Sequence, residues 1–165
     1  MKNAIVIYGS STGTCKGIAE TIARKIGTEA VDIKNATEET FRDCPTLFLG
    51  TSTWGSGEMQ DDWYDGVELL KKAGLSGKKV ALFGCGDAES YPDTFCGGMR
   101  ALFDAVTDAG AEVVGHTPTD GYMYDDSEAV IDNMFVGLPL DEDNESGQTE
   151  SRIDNWLSGI ERATA

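Results

Sequence analysis

The residues with the plainest chemical purpose are Gly9-Ser10-Ser11-Thr12-Gly13-Thr14-Cys15, a loop of four hydroxyls and two glycines. It stands between an apolar run, Ala4–Tyr8, and a helical pattern that begins at Cys15. Successive backbone N–H groups at a helix N-terminus attract an anion, and the helix dipole strengthens the attraction. The loop lacks the Gly-Lys-Ser/Thr ending of a Walker A sequence, and it is not G-x-G-x-x-G. It reads as an anion site of another type, or as an ordinary polar strand-to-helix turn. A second cluster is Thr51-Ser52-Thr53-Trp54-Gly55-Ser56-Gly57-Glu58, where Trp54 sits among residues too small to build a core around it. A third is Gly84-Cys85-Gly86-Asp87 followed by Tyr91-Pro92-Asp93-Thr94-Phe95, again a glycine-rich turn with an aromatic ring. Two loops that offer an aromatic and one that offers an anion cradle suit a flat aromatic ligand with a phosphate tail.

Those clusters need elements to bring them together. Short, nearly continuous apolar runs bounded by glycine recur at Ala4–Tyr8, Thr46–Gly50, Val80–Gly84 and Glu112–Gly115, as expected of strands buried on both faces. Ala30-Val31-Asp32-Ile33 is a weaker run and fits a peripheral strand. Helical spacing marks one face at Cys15, Ile18, Ala19, Ile22, Ala23 and Ile26, and another at Met59, Trp63, Val67 and Leu70. Phe95, Met99, Leu102, Phe103 and Val106 form a third face, and Ile153, Trp156, Leu157 and Ile160 a fourth. Trp63 and Trp156 are thereby assigned to the core. Thr37–Phe41 is expected to form at most a turn of helix. This alternation implies an α/β fold with a doubly wound, five-stranded parallel sheet flanked by helices. Ligands of such sheets bind beyond the C-terminal strand ends, near the switch in strand order, and all three clusters fall there. One interval, His116–Gln148, breaks the rhythm and is long enough to carry its own small structure. No repeat or linker appears, so residues 1–165 are expected to form one domain.

Composition narrows the partners. Asp and Glu number 29 against 13 Lys and Arg, a formal charge of −16. Phosphate backbones and anionic membrane surfaces require clustered cations, so neither is an expected partner. A protein with a cationic face, met by electrostatic steering, is the natural one. Between Arg100 and Arg152 lie 13 acidic residues and no Lys or Arg at all. No segment approaches the roughly 18 apolar residues of a membrane span, and the first residues lack a signal-like apolar stretch. The four cysteines, Cys15, Cys44, Cys85 and Cys96, include no C-x-x-C pair. A cytoplasmic protein with free thiols is expected. The one histidine, His116, starts the long interval and is assigned to the surface, so histidine-rich metal sites and most Ser-His-Asp schemes lose support. Asp141-Glu142-Asp143-Asn144-Glu145 invites a calcium reading, but Ser146 and Arg152 occupy the positions where an EF-hand needs Gly and Glu. No metal site is assigned.

With four motifs in order along nearly its whole length, the chain resembles the flavodoxins, and their long-chain members in particular. Ser10–Cys15 resembles the family's T-x-T-G-x-T phosphate signature, with Ser10 and Cys15 in place of two threonines. Ser52-Thr53-Trp54 followed by Gly55-x-Gly57-Glu58 resembles its second loop, and Phe83–Asp87 with Tyr91–Phe95 its third. Phe135–Asn144 and Arg152-Ile153-x-x-Trp156 resemble its C-terminal block. The resemblance implies bound FMN, with the phosphate on Ser10, Ser11, Thr12, Gly13, Thr14 and Cys15, the last through its amide because a thiol is a weak donor. It implies Trp54 and Tyr91 on the two ring faces, and groups around Thr53, Gly55, Ser56, Gly57, Cys85, Gly86 and Asp87 at the ring's polar edge. It implies that the Gly55-Ser56 peptide turns over when the flavin is reduced, and that an insertion at about Thr117–Phe135 splits the fifth strand. The implied function is that of a low-potential one-electron carrier, a monomer without a substrate of its own, serving redox proteins with basic docking faces such as a flavodoxin/ferredoxin reductase. The alternative is an FMN-dependent NAD(P)H:quinone-type reductase on a similar fold. A phosphoacceptor signalling domain is excluded, since strand one ends in Tyr8-Gly9-Ser10 without paired carboxylates.

Overall fold

The computed structural model describes residues 3–54 and 57–164, with side chains through Arg162. The chain begins with β1 (Ala4–Gly9), α1 (Thr14–Ile26) and β2 (Ala30–Asp32), then a short α2 (Glu38–Arg42). Next come β3 (Thr46–Trp54), β4 (Glu58–Met59), α3 (Asp62–Ala73), β5 (Lys79–Cys85) and α4 (Gly98–Asp108). The last third holds β6 (Glu112–Val114), β7 (Thr117–Pro118), β8 (Val130–Ile131), β9 (Met134–Phe135), β10 (Leu138–Leu140) and α5 (Thr149–Thr164).

The parallel sheet runs β2-β1-β3-β5, and its far edge is supplied by β6 and β10, both paired to β5. Strand order reverses between β1 and β3, because the chain leaves β1 to one side for β2 and returns on the other for β3. The apolar runs of β1, β3 and β5 are buried on both faces, as their unbroken hydrophobicity requires. On one face α1 and α5 pack over Val6, Phe48 and Phe83, with Trp156 edge-on to Phe48 at 5.7 Å. On the other, α3 and α4 pack over Ile7, Leu49 and Leu82, with Trp63 fully buried.

The fifth strand position is split. Its first part, β6, places Val114 opposite Ala81, and its second, β10, places Leu138 opposite Phe83. The intervening segment folds as a small antiparallel sheet in the order β7-β9-β8. Asp132 and Asn133 join β8 to β9 with φ of 53° and 66°, the two positive values that a type I′ hairpin turn demands. Phe135 anchors this insertion: it is fully buried, with its ring centroid 5.2 Å from Tyr122, 5.3 Å from Tyr124 and 6.1 Å from Phe95.

Several boundaries differ from the sequence expectation. β3 runs on to Trp54, so Thr51–Trp54 is strand rather than loop, because β4 folds back and pairs Thr53 with Met59 and Trp54 with Glu58. Met59 therefore belongs to that hairpin and not to a helix, and Phe95 lies in the turn before α4. Both are buried, but by pairing and loop packing instead of helical periodicity. The insertion is wider than expected, since β6 ends at Val114 and Gly115 has φ +78°. Among the described residues no helix is long and apolar enough to cross a membrane.

Phe135→Ala should lower the unfolding free energy by about 3–5 kcal/mol, the usual effect of emptying a buried aromatic site. Urea denaturation followed by tryptophan fluorescence measures it, and a change under 1 kcal/mol would mean that the insertion is not packed on the core.

Candidate functional site

Register decides what meets at the sheet edge. Gly9 at the end of β1 lies opposite Thr51 in β3, Thr51 opposite Gly84 in β5, and Gly84 opposite Pro139 in β10. The segments that follow these strands therefore emerge side by side.

The first leads into α1. Gly13 caps the helix with φ 93° and ψ −11°, a left-handed conformation that glycine adopts at little cost. Its N–H donates to Ser10 Oγ at 3.1 Å, and the first intrahelical bond runs from Gly17 N to Gly13 O at 3.0 Å. The amides of Thr14, Cys15 and Lys16 precede that bond and have no carbonyl of their own helix to meet. Ser11, Thr12, Gly13 and Thr14 are exposed, and the first turn holds no acidic side chain. The start of the helix is therefore open. Cys15 offers only its amide there, for its side chain is fully buried on the core face of α1. A hydrogen bond with the Cys85 thiol and burial push the Cys15 thiol well above its usual pKa, so it is a neutral packing group.

The second segment is the β3–β4 hairpin. Trp54 remains 41% exposed, its indole N–H held by Ser52 Oγ at 2.7 Å. Thr53 Oγ1 accepts from Gly98 N at 3.1 Å and so ties the hairpin to the start of α4. Gly57 N closes the turn on Trp54 O at 3.1 Å. Gly55 and Ser56, and with them the peptide expected to turn over, lie outside the described residues.

The third segment follows β5, whose last residue is Cys85. Gly86 N donates to Leu140 O at 3.0 Å, and Tyr91 N to Asp87 O at 2.8 Å. Tyr91 is 62% exposed. The loop is clamped from β10. Asp141, fully buried, accepts Ala88 N at 3.1 Å and Asn144 N at 3.0 Å, while Asn144 Nδ2 reaches Asp87 Oδ1 at 2.8 Å. The Ser90 backbone N–H and then the Asn144 amide hold the Asp87 carboxyl below its ordinary range. Asp143 is shifted upward by burial and by the charges of Asp87, Asp141 and Glu142. The acidic run serves the loop.

Between these segments lie two adjoining cavities. One of about 180 Å³ is lined by Thr53, Trp54, Gly86, Asp87, Tyr91 and Phe95 among others. The other, about 150 Å³, is bordered by Thr12, Thr14, Trp54, Cys85, Tyr91 and Glu142 and so joins the aromatic cleft to the cradle. A larger cleft of about 510 Å³, between the insertion and α5, includes none of the expected site residues.

The Flavodoxin family profile matches residues 6–156. The chain belongs to the flavodoxin family. It is 40% identical to a flavodoxin of Klebsiella pneumoniae over 98% of each chain, and 42% identical to Flavodoxin 1 of Azotobacter vinelandii over 94% of each. Among solved structures, the Fusobacterium nucleatum flavodoxin bound to flavin mononucleotide superposes with a TM-score of 0.90 at 34% identity, over 99% of both chains.

Within this flavodoxin scaffold, the described members of the expected set gather at one edge. Sequence reasoning missed Glu142 and Asp143, which border the cleft, and Gln60, whose buried amide reaches Ser11. The first two carried a signal: any residues after the fifth strand must arrive at the same sheet edge as the loops. Gln60 carried none.

Because the folded pKa of Asp87 lies below its ordinary 3.8, its stabilising contribution is present above that pH and is lost as pH falls through the folded value. In Asn144→Ala the Asp87 titration, followed by NMR of the carboxyl carbon, should move part of the way up towards 3.8. It should not return fully, since the larger cause, the Ser90 N–H, remains.

Proposed function

We propose that this chain binds flavin mononucleotide and carries single electrons between larger redox proteins, as a monomeric, cytoplasmic, one-domain carrier without a substrate of its own. One observation carries the reading: an open helix N-terminus ringed by hydroxyls is continuous with a cleft bordered by two exposed aromatic rings, Trp54 and Tyr91. The donors match a phosphate, since they are N–H and O–H groups with no carboxylate in the first helical turn. In this reading the amides and hydroxyls of Ser10, Ser11, Thr12, Gly13, Thr14 and the Cys15 amide hold the phosphate. Trp54 and Tyr91 take the ring faces, and Thr53, Gly57, Cys85, Gly86 and Asp87 flank the polar edge. Gly55 and Ser56 join them on family resemblance.

Bound FMN supplies the one-electron chemistry; the protein supplies binding, orientation and electrostatics. Glu58 in the hairpin and Asp61, Asp62 and Asp65 after it make added negative charge nearby costly, which favours a low potential. His116 is exposed at the start of the insertion, and among the described residues no histidine or lysine lines the aromatic cavity to serve in acid–base chemistry. The acidic surface suits brief docking with basic faces, such as that of a flavodoxin/ferredoxin reductase.

A yellow protein that oxidises NAD(P)H no faster than free FMN supports the carrier; rapid unaided oxidation would favour the NAD(P)H:quinone-type reductase. Tyr91→Ala and Trp54→Ala should each weaken FMN about tenfold or more, since stacking contributes about 0.5–1.5 kcal/mol beyond area burial. Unchanged affinity in both, by fluorescence titration, would remove the two rings from the site. Reduction by a basic partner should slow as salt rises, because the −16 charge provides the attraction. A second-order rate indifferent to ionic strength in stopped-flow mixing would end the docking argument.

A further inference from the structure

Gln60 is only 3% exposed, and each polar group of its side chain is engaged. Its Oε1 accepts Asp62 N at 2.9 Å, while its Nε2 lies 2.9 Å from Asp62 Oδ2 and 3.1 Å from Ser11 Oγ. A backbone N–H can only donate and a carboxylate oxygen accepts, so Asp62 settles which end of the amide is nitrogen. Nε2 therefore faces Ser11 as a donor. The main chain is fixed as well, with Gln60 N on Thr51 Oγ1 at 2.9 Å. β1 is pressed against the same amide: a Cβ added at Gly9 would lie 2.6 Å from Gln60 Oε1. Gln60 thus has one orientation, held by β3, α3 and the end of β1.

The consequence falls on Ser11. A serine hydroxyl has one proton and two lone pairs, and Gln60 occupies a lone pair. The Ser11 proton must then point away from Gln60, and Ser11 is exposed, so the proton is available to a ligand at the loop. Ser10 is in the same state, its Oγ accepting Gly13 N at 3.1 Å. We propose that Gln60 is a positioning residue that fixes the Ser11 hydroxyl as a donor towards a bound phosphate, and thereby raises the preference of the site for phosphorylated over unphosphorylated flavin. This rests on the FMN reading above. Gln60 need not touch the ligand. A hydroxyl oriented in advance favours an anion, whereas a neutral ribityl hydroxyl can accept or donate and gains little from it. A Gln60 that merely braced the hairpin would affect both flavins alike.

Dissociation constants of FMN and riboflavin, measured by fluorescence titration on the full-length apoprotein, separate the two roles. In Gln60→Glu an acceptor replaces the donor that faced Ser11 and adds a charge beside Asp62 Oδ2, so its result is read together with the neutral Gln60→Met. FMN should weaken about 30-fold and riboflavin no more than about threefold, in line with loss of a charge-assisted hydrogen bond. Gln60→Met removes the donor without adding charge, and serves if the Glu variant does not fold. It should weaken FMN about five- to tenfold, and have little further effect once Ser11→Ala is present. Equal losses for FMN and riboflavin, unchanged FMN affinity, or full additivity with Ser11→Ala would each overturn the positioning role. A wild-type protein that binds FMN no tighter than riboflavin would instead overturn the parent reading before any variant is compared.

Discussion

The site depends on register more than on any single side chain. Parallel pairing aligns Gly9, Thr51, Gly84 and Pro139 across the sheet, and a slip of one residue would exchange the faces to which a strand's side chains point. With both faces of β1, β3 and β5 buried, such a slip would misfit the packing of both core layers at once, so burial enforces the alignment. From it follow the adjacency of the three loops and the contact of the hairpin with α4. The reach of Asn144 across to Asp87 follows too. The chemistry at the edge inherits the precision of the core below.

What could be read in the sequence is what local pattern encodes. The central strands were legible because burial on both faces demands an unbroken apolar run, and α1 because all six residues of its expected face are buried. Met59 and Phe95 misled for a physical reason. Each stands four residues before a buried helical residue, Trp63 or Met99, and burial in a hairpin or a loop leaves the same apolar letter as burial on a helix. The two-residue strands β4, β7, β8 and β9 are too short to show a period at all. Cys15 carried two signals at once, as the end of a polar loop and the start of an apolar helix face. The second decided its side chain and the first its amide.

Polar cross-links were the least legible part of the site. Asp141 meets Ala88 N across 53 residues, and Gln60 meets Ser11 across 49. No spacing rule connects such pairs, because they are set by tertiary structure. In the acidic run after β10, Asp141 accepts from two backbone N–H groups and the Asn144 amide, Glu142 from the Thr149 hydroxyl, and Glu145 pairs with Arg152.

The split of the edge strand bears on how such a chain can change over generations. Only Leu82 separates the β5 partner of Val114 from that of Leu138. A strand advances about 3.3 Å per residue, so the excursion from Val114 leaves the sheet and rejoins it about two residue steps further along. Sheet register is thus blind to the length of what lies between. Insertions and deletions there alter loop-closure entropy only slowly with length. They leave the row of strand ends undisturbed, provided that some side chain still covers Phe95 where Phe135 does now. The fold can remodel one flank of its outer surface by lineage while its redox edge stays under the older constraint.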